Sequence, residues 1–174
     1  MSLFTKNMVA IDTNILIYAA APIKDAEDET LHLRAKMLLQ KITEAGQTIA
    51  LPVPVVAEFL SGLDADTRSV AYKTLLQEFV ILPFDDKSAR VYAHVMAHRH
   101  HDGVWEQSKS SGVPRRCLLA DIAILSVAEA HGLPWLYTGE RKRFIPRLAE
   151  NARLKIVVRS IYDEPFQYPL PLTE

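Results

Sequence analysis

Three carboxylates in this chain stand where apolar residues would be expected. Asp12 closes the apolar run Met8–Ile11, Glu58 lies among Val55, Val56, Phe59 and Leu60, and Asp121 lies within Leu118, Leu119, Ala120, Ile122, Ala123, Ile124 and Leu125. An acid on an apolar face is costly to bury unless something positive compensates it. Several acids converging on one point also raise one another's pKa and repel. A hard divalent cation, Mg²⁺ or Mn²⁺, relieves both problems because it takes oxygen ligands and retains waters. Each residue has a plainer reading as well. Asp12 can cap a helix, Glu58 can form a surface ion pair, and Asp121 can cap its own helix.

The elements that must position these acids are legible from periodicity and punctuation. Met8–Ile11 reads as a buried parallel strand whose carboxyl end opens on Asp12. A helical turn carrying Ile15, Leu16, Ile17 and Tyr18 follows, and Leu31, Ala35, Leu38, Leu39 and Ile42 share one face of a longer helix stopped near Gly46. Thr48–Val53 is a second strand, and Pro54 opens the helix that carries Glu58. A helix over Asp66–Phe79 and a strand over Val80–Phe84 come next, then a helix capped by Asp85 or Ser88 and running to about His98.

His100–Pro114 is polar and punctuated by Gly103 and Gly112, which predicts a long loop. A helix is expected over Leu118–Ala130, ending at Gly132, with strands over Trp135–Thr138 and Lys155–Val158 flanking a helix over Phe144–Asn151. Glu164–Glu174 holds Pro165, Pro169 and Pro171 and reads as an extended tail. Strands alternating with helices predict a three-layer, doubly wound α/β fold: a parallel sheet of four or five strands with helices on both faces. Ligands of such folds sit beyond the carboxyl ends of the strands, where Asp12 stands.

Bulk composition narrows the function. A chain of 174 residues suits one domain with a real core. Its net charge of −1 supplies no global field for a polyanion, so any nucleic acid must be held by a local basic patch. One cysteine, Cys117, excludes an intramolecular disulfide, fits a reducing compartment, and reads as a small buried hydrophobe. The N-terminal residues do not read as a signal peptide, and no apolar run approaches the ~20 residues that span a bilayer. The expectation is a soluble, cytoplasmic protein with no membrane partner.

Four segments together resemble the PIN-domain nucleases. Ile11-Asp12-Thr13-Asn14-Ile15-Leu16 looks like their opening motif, and Pro54-Val55-Val56-Ala57-Glu58 resembles their second. Leu119-Ala120-Asp121-Ile122-Ala123-Ile124-Leu125 is similar to the third, and Trp135-Leu136-Tyr137-Thr138-Gly139-Glu140 to the fourth. Single motifs of this kind are weak, but the ordered set covers nearly the whole chain. Two departures stand out. Glu140 occupies a position where the family usually has aspartate, and Arg141, Lys142 and Arg143 follow where another acid is common.

The resemblance implies a PIN-like nuclease domain over residues 1–160 and a Pro-rich extension over 161–174. It implies Mg²⁺- or Mn²⁺-dependent hydrolysis of RNA phosphodiesters, with Asp12, Glu58, Asp121 and Glu140 as catalytic and metal-binding residues. Thr13, Asn14 and Thr138 would orient those ligands by hydrogen bonds. As family-level expectations it also implies an antitoxin protein partner and a homodimer. A non-catalytic PIN-like module that binds RNA or protein is the alternative, motivated by Glu140.

Beside the motifs, Arg115 and Arg116 precede Asp121, and Arg141, Lys142, Arg143 and Arg147 follow Glu140. These clusters are candidates for holding phosphates, and Trp105 and Tyr137 for stacking on bases. His94 and His98, four residues apart, have zinc-ligand spacing but no cysteine or acid to complete a site.

Overall fold

The computed structural model describes residues 7–20, 22, 24–140 and 144–163. The chain runs β1 (Met8–Ile11), α1 (Thr13–Ala20), α2 (Ala26–Glu44), β2 (Thr48–Pro52), α3 (Val53–Ser61), α4 (Ala65–Glu78), β3 (Val80–Leu82), α5 (Asp86–His98), α6 (Val104–Ser110), α7 (Arg115–Ala130), β4 (Trp135–Thr138), α8 (Phe144–Asn151) and β5 (Val157–Ser160). All described strand pairs are parallel, in the order β3-β2-β1-β4-β5. The fold class expected from the sequence is the one observed, with five strands.

The strand order explains where a site can form. From β1 the chain winds outward through β2 to β3, then returns to lay β4 against the other side of β1. Right-handed crossovers send the helices before and after that reversal to opposite faces of the sheet. A crevice therefore opens at the carboxyl ends of β1 and β4. Asp12 follows β1 directly, and Glu140 stands two residues beyond β4.

The core is built on the central strands, where Val9, Ala10, Ile11, Ala50, Leu51 and Leu136 are fully buried. Helix α7 packs against both β2 and β4 and buries Ile122, Ile124, Leu125 and Val127. Helix starts follow local chemistry. Asp25 accepts from the Asp28 amide, Asp64 from those of Asp66 and Thr67, and Asp85 from that of Ser88. Each cap satisfies an amide that the first turn leaves open, worth about 1 kcal/mol. Gly132, with φ +71, takes the left-handed conformation that ends α7.

β3 ends at Leu82, two residues short of expectation, and three further departures have visible causes. The predicted loop over 100–114 contains α6, because Val104, Trp105 and Ser108 lie on one face and are buried while the polar residues face outward. Helix α7 begins at Arg115 rather than Leu118, since the Cys117 and Leu118 amides already bond to the Pro114 carbonyl. Strand β5 begins two residues later than Lys155. The Lys155 and Ile156 amides are taken by the Glu129 carboxylate at the end of α7, and the first ladder bond comes from Val157 to the Pro134 carbonyl.

Ile161, the first residue assigned to the extension, is buried, and its carbonyl accepts from Arg34 of α2. The proline-containing tail from 164 onward lies outside the described residues. Among the described residues no helix is long and apolar enough to cross a membrane.

Candidate functional site

Four acids from four distant segments line a single pocket of about 250 Å³ at the crevice. Asp12, Glu58, Asp121 and Glu140 share its wall with Thr13, Asn14, Ile17, Cys117 and Ile145. Each acid arrives on a different element. Asp12 is delivered by the end of β1, Glu58 by α3, Asp121 from about two turns into α7, and Glu140 by the segment after β4.

Asp12 is the most constrained of the four. Its side chain is almost fully buried, and both oxygens are occupied. Oδ1 accepts from the Thr13 amide at 2.6 Å, and Oδ2 accepts from the Thr138 hydroxyl at 2.8 Å and the Asn14 amide group at 3.4 Å. Thr13 turns its own hydroxyl outward to donate to Glu58 at 2.6 Å. The Thr138 hydroxyl also accepts from the Glu140 amide at 3.1 Å, so one buried side chain ties the first acid to the backbone of the fourth. The carboxylate of Glu140 accepts from the Ile145 amide in the first turn of α8 at 3.0 Å.

Close approach of β4 to α1 depends on Gly139. A Cβ there would meet the Tyr18 ring at 2.6 Å and the Asn14 Cβ at 2.8 Å. With no side chain at that position, Thr138 and Glu140 can lie beside Asp12 and Asn14.

The electrostatics of the pocket are one-sided. Burial, reinforced by the charges of Asp12, Glu140 and Glu58, pushes the Asp121 carboxyl up to about 9. Burial likewise raises the Asp12 carboxyl above its usual range, even though the hydrogen bonds from Thr138, Thr13 and Asn14 oppose it; Glu58 raises it further. Acids crowded in this way raise one another's pKa. The donors are carboxylate oxygens with one thiol at the edge, and such an oxygen-rich, anionic set suits a hard divalent ion. Among the described residues, no three His, Cys, Asp or Glu side chains are arranged to hold an ion as they stand. The four acids line the pocket from separate elements.

Comparison with known proteins agrees with this architecture. The sequence profile of the PIN domain matches residues 9–151. This chain belongs to the PIN-domain family. Its fold is similar to that of a chain in VapBC2 from Rickettsia felis bound to a DNA fragment from its promoter, at 21% identity and a TM-score of 0.51. That alignment covers 88% of this chain and 98% of the other. A chain of DNA-bound VapBC from Salmonella typhimurium aligns at 16% identity and a TM-score of 0.53, covering 90% and 98%. No curated protein matches the sequence.

Within this PIN domain the remaining expectations divide sharply. Asp121 is not a cap, because α7 begins six residues before it. Arg115 and Arg116 are exposed at the start of α7, whereas Arg141, Lys142 and Arg143 lie outside the described residues. Arg147 is engaged within the fold. Its guanidinium is committed to Asp102 at 2.7 Å and to Gln107 at 3.2 Å. Trp105 and Tyr137 are both buried and offer no face to a base. His94 turns to the Ala152 carbonyl and His98 to that of His94, so the histidine pair is not a zinc site.

Cys117 was expected to be buried, yet it is only half-buried and lines the pocket. Its spacing of four residues from Asp121 on one helix was the available signal. Sequence reasoning missed Asp102 altogether, since nothing in the polar stretch around it distinguishes it from solvated acids.

Proposed function

We propose that this protein is an Mg²⁺- or Mn²⁺-dependent endoribonuclease, acting as the toxin of a toxin–antitoxin pair. The observation that carries the reading is that Asp12, Glu58, Asp121 and Glu140, from four separate segments, line one pocket at the strand reversal. Raised pKa values there mean that the pocket gains from a bound cation. Asp12 and Asp121 are the residues best placed to hold the ion, with Glu58 and Glu140 at the rim. When bound, the ion supplies Lewis acidity toward a phosphoryl oxygen and lowers the pKa of water.

The chain's own groups do the rest. Thr138, Asn14 and the Thr13 amide hold the Asp12 carboxylate in one orientation, as ligand-orienting partners do in metal sites. Glu58, exposed and steadied by the Thr13 hydroxyl, is positioned to accept a proton from an attacking water. Arg115 and Arg116 offer positive charge for the flanking phosphates of an RNA strand. The antitoxin partner and a homodimer follow from the family resemblance, and the similar folds found in VapBC complexes support the former.

Incubation of the purified chain with RNA and Mn²⁺ or Mg²⁺ tests the reading. Cleavage is expected, with loss of cleavage in Asp12→Asn and Asp121→Asn prepared identically. Intact RNA, or cleavage unaffected by both substitutions, contradicts it.

One observation favours a second reading, a PIN module that binds RNA or protein without cutting. The Glu140 carboxylate already serves the backbone of α8. Under that reading the wild-type chain shifts labelled RNA in a gel without shortening it, and Asp12→Asn shifts it equally.

A further inference from the structure

The segment between α5 and α7 does more than connect them, and its contacts run toward the active pocket. Asp102 lies just before α6 and is bound from three directions. Its Oδ1 accepts from the Asn151 amide group at 2.8 Å and from the Val104 backbone at 3.1 Å. Its Oδ2 accepts from Arg147 Nε at 2.7 Å, and its carbonyl accepts from Arg147 Nη2 at 3.2 Å. The third nitrogen of Arg147 donates to Gln107 in α6. Arg147 and Asn151 are four residues apart, on one face of α8. Asp102 thus grips that helix across about one turn.

The same segment packs on the start of α8. Trp105 is buried with its ring centroid 6.3 Å from that of Phe144, the first residue of the helix. The next residue, Ile145, lines the acidic pocket and donates its amide to Glu140. A continuous path therefore runs from Asp102 through α8 to the fourth acid. The Glu140 backbone is held as well, its amide by the Thr138 hydroxyl and its carbonyl by the Ser160 hydroxyl at 3.1 Å.

We infer that Asp102 is a positioning residue for the metal site, setting the placement of α8 and thereby the direction of the Glu140 carboxylate. This rests on reading Glu140 as part of that site. Glu140 is one methylene longer than aspartate and has more rotamers to lose on binding an ion. A fixed amide at Ile145 limits that freedom, and the Asp102 clamp fixes the amide. Polar partners that orient metal ligands commonly change affinity about 10–100-fold when removed, and a partner one step further out falls at or below the lower end.

The test is a double-mutant cycle read by calorimetric titration of Mn²⁺ into the full chain, with the Ile145 amide followed by hydrogen exchange. Asp102→Asn is expected to weaken Mn²⁺ binding by roughly 3- to 10-fold and to speed exchange at Ile145 more than at core amides such as Leu125. In a Glu140→Gln background, Asp102→Asn is expected to change Mn²⁺ affinity by less than about 2-fold, because the pathway it serves is already cut. Equal loss in both backgrounds, or no loss in either, overturns the inference and assigns Asp102 to general stability. Arg147→Lys, which keeps the charge but loses the guanidinium fork, repeats the cycle if Asp102→Asn does not fold. Failure of the wild type to bind Mn²⁺, or binding indifferent to Asp12→Asn, counts instead against the functional reading.

Discussion

Asp121 and Asp102 are two aspartates in one small domain whose surroundings do opposite things. Asp121 stands in the pocket with three other carboxylates, and burial with their charges lifts its pKa to about 9. Around Asp102, burial also works against the charge, but hydrogen bonds from Asn151, the Val104 amide and Arg147 outweigh it and hold the carboxyl below its usual range. One acid is paired and holds α8 in place. The other lies in an acidic pocket at the strand reversal whose groups raise its pKa, the pattern the proposed function expects of a group kept for chemistry at some expense of stability.

That contrast is breakable by substitution. Asp121→Asn removes a carboxyl that the metal-free fold must keep protonated while the unfolded chain ionises it. It is expected to reduce RNA cleavage by at least about 100-fold, the scale on which single electrostatic contributors act. The same substitution should raise the thermal midpoint of the metal-free protein at pH 8. A parallel cleavage assay and melting curve check both signs. Loss of activity with loss of stability would mean that Asp121 is structural.

Gly139→Ala probes the approach of β4 to α1 that brings Thr138 and Glu140 beside Asp12. The new methyl would overlap Tyr18 and Asn14, and overpacking of this kind costs about 1–3 kcal/mol. Urea denaturation should show that loss, together with weakened metal binding. A neutral result would show that α1 gives way freely.

The pH dependences of the two acids should run in opposite senses. Asp121 has a folded pKa raised above its unfolded value of about 3.9. Its stabilising contribution is complete at low pH and is lost as pH rises toward and through about 9. Asp102 has a lowered folded pKa, so its contribution is present above about pH 4 and is lost as pH falls through the folded value. Asp102→Asn should therefore cost about 1 kcal/mol or less near neutrality, given its partial exposure, and almost nothing in strong acid. Chemical denaturation at several pH values, with Asp121→Asn and Asp102→Asn beside the wild type, separates the two slopes. The smallest expected effect is at the surface. Arg115→Ala should weaken RNA binding and reduce its salt dependence by about one counterion, measurable by fluorescence anisotropy across a salt series.

The two regions also differ in how much of them the sequence discloses. Asp12, Glu58 and Asp121 were legible because each breaks an apolar pattern, and no single bland explanation covers all three. Strand β4 and helix α8 were read to the residue, the first as a short run after Pro134 and the second from the apolar spacing of Phe144, Ile145 and Leu148. Around Asp102 these signals conflict. Two glycines and several serines say loop, while α6 is decided by Val104 and Trp105 finding a tertiary surface on α8. A helix of seven residues has little local stability, so its formation depends on that packing. For the same reason Arg147 looked like a phosphate ligand. Only the fold shows that its partner lies 45 residues earlier. The start of β5 was misplaced because Glu129, a side chain from another element, takes the amides that a ladder would have used.

The central claim is that four acids form one divalent-cation site that competes with protons. Calorimetric titration of Mn²⁺ into the full chain at pH 7, repeated in buffers of different ionisation enthalpy, tests it most directly. The account predicts saturable binding accompanied by proton release, since Asp121 is protonated at that pH without a cation, and abolished by Asp12→Asn. No binding, or binding that releases no proton and survives Asp12→Asn, would contradict it.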